Sequence, residues 1–102
     1  MGYRVSRLIG FYEKGYDETT KMLKGIIDGI IKRGNTENAK LIEIIKYTIK
    51  EFNTTKRLIR KEFKENETLK EQYLIFTNKL IFMLKKELKQ YERIENNYVD
   101  KD

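Results

Sequence analysis

The chain has no proline in 102 residues, and this absence limits its fold more than any other single feature. Proline is common in the turns of β proteins and in linkers, whereas the interior of a long helix excludes it. Charged residues make up 37% of the chain and hydrophobic residues 39%, a balance typical of amphipathic helices. A disordered chain would have far fewer large apolar side chains. The composition therefore predicts an all-α fold.

Apolar residues recur at intervals of three and four along the chain, and no stretch shows the alternation of a β-strand. This spacing predicts helical segments at about 3–33, 36–65 and 68–97, followed by a frayed tail at 98–102. The short junctions at Gly34-Asn35 and Asn66-Glu67 require sequential segments to reverse and pack side by side. We therefore predict a single helical-bundle domain over residues 1–102: an antiparallel bundle of three long helices, the first broken near Gly15 to give four.

The same spacing predicts which side chains face the core. In the first segment they are Ile9, Tyr12, Tyr16, Thr19, Leu23, Ile26 and Ile30. In the second segment they are Ile42, Ile45, Ile49, Phe52, Ile59 and Phe63. The third segment opens with Thr68-Leu69-Lys70-Glu71, a capping box in which a hydroxyl and a carboxylate bond to unpaired backbone amides. This motif predicts that the third helix begins at Thr68.

The third segment carries more apolar side chains than one core-facing stripe needs. Nine of the twelve residues from Tyr73 to Leu84 are apolar. Such a helix either lies at the centre of the fold or presents part of its surface to another molecule. The residues predicted to face the bundle are Leu69, Tyr73, Phe76, Leu80 and Met83 or Leu84. The residues then left outside, which we predict to form a protein interface, are Leu74, Ile75, Ile81 and Phe82.

The second segment carries a basic stripe beside its apolar one. The cations predicted to form it, as a nucleic-acid-binding surface, are Lys46, Lys50, Arg57, Arg60, Lys61 and Lys64. From end to end they would follow a phosphate backbone for about 27 Å. The alternative is that a lysine-rich helix simply places its charges on a solvated face. Acidic residues of a neighbouring helix covering the stripe would favour that second interpretation.

Cysteine and histidine are both absent from the chain. Their absence excludes zinc sites built on these residues, a histidine general base and a cysteine nucleophile. Ser6 is the only serine, and the spacing brings no two carboxylates together in an apolar setting. We therefore expect a protein that is not an enzyme, with no catalytic residues, no metal ligands, no cofactor and no small-molecule substrate.

No apolar run reaches the ~20 residues that a membrane span needs, and the N-terminus lacks a secretory signal. We expect no transmembrane segment and a cytoplasmic, intracellular location. The net charge of +6 permits an acidic partner. The predicted function is helix-mediated association, as a homodimer or as an adaptor for another protein. The alternative is a nucleic-acid-binding or regulatory protein that uses the basic stripe.

Overall fold

The computed structural model describes residues 2–32 and 38–100, and the side chains of residues 2–29 and 40–93. The helices are α1 (Tyr3–Lys14), α2 (Tyr16–Lys32), α3 (Asn38–Glu62) and α4 (Glu67–Asp100). The described ranges contain no strand, so the predicted all-α bundle with a divided first segment is confirmed. Helix α4 continues into the segment for which fraying was predicted. The junction predicted at Gly34-Asn35 lies outside the described residues.

The chain changes direction at Gly15, between α1 and α2. Gly15 has φ +94°, a conformation that L side chains rarely adopt, and its N–H bonds to the carbonyls of Phe11 and Tyr12 at 3.0 and 3.2 Å. The buried hydroxyl of Thr19 lies 2.9 Å from the Phe11 carbonyl and 2.8 Å from the Gly15 carbonyl. Because these bonds satisfy carbonyls that the end of α1 leaves open, the break is a stable joint.

A tight turn joins α3 to α4. The N–H of Asn66 bonds to the carbonyl of Phe63 at 3.0 Å, and the Asn66 side-chain oxygen accepts the N–H of Leu69 at 3.2 Å. Asn66 is therefore the N-cap of α4, which begins at Glu67. The prediction that Thr68 caps this helix is wrong, because the earlier asparagine already supplies the acceptor for the first turn.

All four helices contribute to one core, and α4 is its central element. Helix α4 packs against each of the other three helices, most extensively against α3. The residues of α3 and α4 that were predicted to face inward and are buried are Ile45, Ile49, Phe52, Ile59, Tyr73, Phe76, Leu80, Met83 and Leu84. The buried hydroxyl of Thr77 bonds to the Tyr73 carbonyl at 2.7 Å, so it adds no unsatisfied group to the core.

The buried face of α1 and α2 differs from the predicted stripe. Its buried side chains are Val5, Leu8, Phe11, Thr19, Leu23 and Ile27. Tyr12, Tyr16 and Ile26, which were predicted to face inward, are exposed. Ile30 lies outside the described side chains. The stripe predicted through Gly15 is therefore right at Thr19 and Leu23 and wrong at Tyr12, Tyr16 and Ile26, because the backbone at Gly15 leaves the helical path.

An exposed ion pair ties α1 to the flank of α3. The Nε of Arg4 lies 2.6 Å from Oε2 of Glu51, and Nη2 lies 3.3 Å from Oε1. This two-point contact with Arg4 holds the pKa of the Glu51 carboxyl below its ordinary value. The pair lies on the side of α3 that meets α1, beside Phe52 and Thr55.

Candidate interaction surfaces

An apolar groove lies where the start of α2 meets the exposed side of α4. We name it the α4 patch, and its lining residues are Tyr16, Ile75, Asn78, Lys79 and Phe82. The groove has a volume of about 520 Å³. Ile75 is 55% exposed, Phe82 is 60% exposed and Tyr16 is 39% exposed. Seven residues are nearly two helical turns, so Ile75 and Phe82 point the same way about 10 Å apart along α4.

The other two residues predicted for this interface take different positions. Ile81 is only 6% exposed and belongs to the core, so the prediction that it points outward is wrong. Leu74 is half-buried and packs against the core. The prediction assumed a core-facing arc as narrow as that of an edge helix. Because α4 is packed against three helices, it buries a wider arc that includes Ile81.

Aromatic contacts hold the α4 surface beside the patch in place. The ring of Tyr12 meets the rings of Tyr73 and Phe76 edge to face, with centroids 5.1 and 5.4 Å apart. The Tyr12 hydroxyl donates to the side-chain oxygen of Gln72 at 3.5 Å. These rings pack α1 against α4 next to Ile75.

The charged side chains that flank the α4 patch have opposite signs at its two ends along the helix. Lys86 lies over the ring of Phe82, with its Nζ 4.8 Å from the ring centroid, and Lys79 lines the groove itself. Toward the start of α4 the same face carries Glu71, which is exposed and forms no ion pair with a described residue. Glu71, Ile75, Phe82 and Lys86 fall within an arc of about 60° on an ideal helix. The apolar pair therefore has an acid on one side and a base on the other.

A second groove runs along α3 and coincides with much of the predicted basic stripe. We name it the α3 groove, and its lining residues are Lys46, Ile49, Lys50, Asn53, Thr54, Lys56, Arg57 and Arg60. Its volume is about 480 Å³. No acidic side chain lines it, and none of its cations forms an ion pair with a described residue. Within the described part of the chain, no neighbouring helix covers the stripe with acid.

Two of the six predicted stripe cations lie outside the α3 groove. Lys61 lines a separate groove of about 220 Å³, together with Leu58 and Glu62. Lys64 is exposed in the turn that follows α3. The α3 groove instead gains a fifth cation, Lys56, and Thr54, whose hydroxyl lies 3.4 Å from Nη2 of Arg57. The charge pattern of the sequence carried no signal for Thr54, because its position depends on how the long side chains around it are arranged.

No family model, curated protein or solved structure matches this chain, so function is inferred from its own surfaces. Among the described residues no helix combines the length and the apolar character that crossing a bilayer requires. The same residues contain no group of three or more acidic side chains placed to hold a metal ion.

Proposed function

We propose that this protein acts without catalysis, through helix-to-helix association of the α4 patch with a second copy of itself. The observation that carries the proposal is the exposure of Ile75 and Phe82, more than half of each side chain, on one face of α4. Within residues 2–29 and 40–93, whose side chains are described, the other helices leave more than half of each of these two side chains in contact with solvent. A second molecule is the simplest way to remove them from water.

The charges around the patch favour an identical copy as the partner. In an antiparallel contact between two α4 helices, centred beside Asn78 and Lys79, residues equally far before and after that point face each other. Ile75 then meets the partner's Phe82, and Glu71 meets the partner's Lys86. Twofold symmetry forms each of these contacts twice, which is how a self-complementary surface closes into a dimer. Glu71 and Lys86, which flank the patch, then form the charged rim of the dimer interface.

The size of the patch predicts a weak dimer. Fully burying a large apolar side chain contributes about 1.5–3 kcal/mol, and Ile75 and Phe82 are already partly buried. Four half-buried side chains, two from each copy, therefore supply roughly 3–6 kcal/mol before the cost of association is subtracted. The rim charges and Tyr16 add to this sum. Because the association cost removes most of this gain, we expect a dissociation constant of about 1 mM.

Sedimentation equilibrium between about 10 µM and 1 mM tests the proposal up to the dissociation constant expected for this weak dimer. The average mass of the wild-type protein is expected to rise with concentration from the 12.3 kDa of one chain toward twice that value. Ile75→Asp and Phe82→Asp are expected to keep the mass at one chain, because the contact would then bury an unpaired carboxylate.

Ile26→Asp is the matched control. Ile26 is 52% exposed, nearly the same as Ile75, but it lies on α2 beside a different groove of about 120 Å³. This variant is expected to associate like the wild type. Circular dichroism checks that each variant keeps its helical signal. A wild-type protein that stays at one chain mass up to about 1 mM, or a Phe82→Asp variant that still associates, contradicts the proposal.

A further inference from the structure

The α3 groove carries a dense row of cations with no acid among them. Lys46, Lys50, Lys56, Arg57 and Arg60 span fifteen residues of α3, about 21 Å along its axis from the first to the last. Asn53 and Thr54 fill the interval between Lys50 and Lys56 with polar hydrogen-bonding groups. Because the cations repel one another and form no ion pair with a described residue, a polyanion laid along the groove would lower the free energy of the folded chain.

We propose that the α3 groove binds the sugar-phosphate backbone of a nucleic acid, independently of association through the α4 patch. The row of cations along one helix has the linear form of a phosphate backbone, which presents charge at short, regular intervals. Arg57 and Arg60 supply planar guanidinium groups that bond to phosphate oxygens at two points. Asn53 and Thr54 supply the neutral donors that also contact backbone phosphates in nucleic-acid complexes.

The lining of the groove favours nucleic acid over an anionic membrane surface. A helix that lies on a membrane places large apolar side chains next to its cations. The one apolar residue of the α3 groove is Ile49, which is buried and turned to the core. The groove also has no aromatic residue on which a base could stack. We therefore assign it contacts to phosphates alone, without preference for base sequence.

Fluorescence anisotropy with a labelled 20-nucleotide DNA, as a duplex and as a single strand, tests this proposal. Five cations at phosphates predict that log K falls with log salt at a slope of about −4.5 on the duplex and about −3.5 on the single strand. Each cation then contributes about tenfold in affinity near 0.1 M salt. Arg57→Gln combined with Arg60→Gln is expected to weaken binding by roughly 50- to 100-fold and to reduce the duplex slope by about 2.

Two further double variants separate the groove from overall charge. Lys46→Gln combined with Lys50→Gln changes the other end of the α3 groove and is expected to weaken binding as much as the arginine pair. Lys14→Gln combined with Lys24→Gln removes the same net charge from exposed positions on α1 and α2 and is expected to change affinity less than about threefold. Equal losses in all three double variants, or a wild-type protein that fails to bind either DNA at about 0.1 M salt, would overturn the proposal.

Discussion

Helices α3 and α4 form the most extensive contact in the bundle, yet the α3 groove and the α4 patch present opposite chemistry to solvent. Helix α3 exposes cations along its groove, with Ile44 and Tyr47 exposed on another side, and α4 exposes Ile75 and Phe82 in its patch. The difference follows from burial, because the buried side chains of α4 cover a wider arc of an ideal helix than those of α3. A central helix needs apolar residues around most of its circumference, so a small excess on its remaining face becomes an apolar patch. On the side of α3 away from α1, the open face stays polar.

We expect the largest difference in stability between substitutions at two adjacent residues of α4, Ile81 and Phe82. Ile81→Asp places a carboxylate in the core and removes a buried side chain, so we expect a loss of more than about 3 kcal/mol in the free energy of unfolding. Phe82→Asp changes an exposed position, and we expect a change within about 1 kcal/mol. Urea unfolding followed by circular dichroism measures both. Equal losses in the two variants would contradict the assignment of Ile81 to the core and Phe82 to the surface.

The Gly15 joint places Tyr16 at the edge of the α4 patch, and its substitution gives the next largest effect. Gly15 has φ +94°, so we expect Gly15→Ala to destabilise the fold by roughly 1–2 kcal/mol. For a domain of this size that lowers the melting temperature by about 4–15 °C. Thermal unfolding checks this expectation. A stabilised variant, as in a continuous helix where alanine is the better residue, would contradict the observed break.

The predicted basic stripe divides between two grooves, so we expect substitutions in the two grooves to differ in their effect on DNA binding. Arg57→Gln is expected to weaken DNA binding by about tenfold near 0.1 M salt, because Arg57 lines the α3 groove. Lys61→Gln is expected to change binding by less than about twofold, because Lys61 lines the other groove with Glu62. Anisotropy titrations of the two single variants make the comparison. A loss of DNA affinity for Lys61→Gln as large as that for Arg57→Gln would contradict this division and support the wider stripe predicted from the sequence.

The smallest effect is expected at the opposite flank of α3, where Glu51 binds Arg4. The contact with Arg4 lowers the pKa of Glu51 in the folded protein below its ordinary value of 4.5. Its stabilising effect is therefore fully present above pH 4.5 and is lost as pH falls through the folded pKa. The wild type is expected to melt slightly above Glu51→Gln at pH 7, and the difference is expected to vanish in acid. A difference that grows as pH falls would contradict this assignment.

The sequence predicted the number and order of the helices because the signals involved are local. The absence of proline, the regular apolar spacing and the glycine at position 15 each determine the backbone conformation of only a few neighbouring residues. Of the six inward residues predicted in the second segment, four are buried, because a narrow stripe has a clear centre. Ile42 and Phe63 are half-buried, and Leu41 is buried in place of Ile42. The start of α4 was placed late, because Asn66 and Thr68 are both good caps and the turn geometry selects between them.

The predictions were wrong where the neighbouring helices decide which side of a helix is buried. Tyr12 and Tyr16 were predicted to face the core by a stripe that continued through the break at Gly15. Ile81 was assigned to the surface because the apolar run of α4 extends nearly all round, and only the placement of three neighbours decides which side stays open. The α4 patch could be predicted at Ile75 and Phe82, but not the contribution of Tyr16 from α2, because that contact joins residues distant in sequence.

The antiparallel contact between two α4 helices is tested most directly by mixing two charge-reversed variants, Glu71→Lys and Lys86→Glu. Alone, each variant sets like charges opposite each other twice in the dimer, so each is expected to stay at one chain mass in sedimentation equilibrium. An equimolar mixture restores both opposite-charge pairs, so it is expected to associate as the wild type does. A mixture that stays at one chain mass where the wild type associates, or single variants that associate as readily as the wild type, would contradict the account.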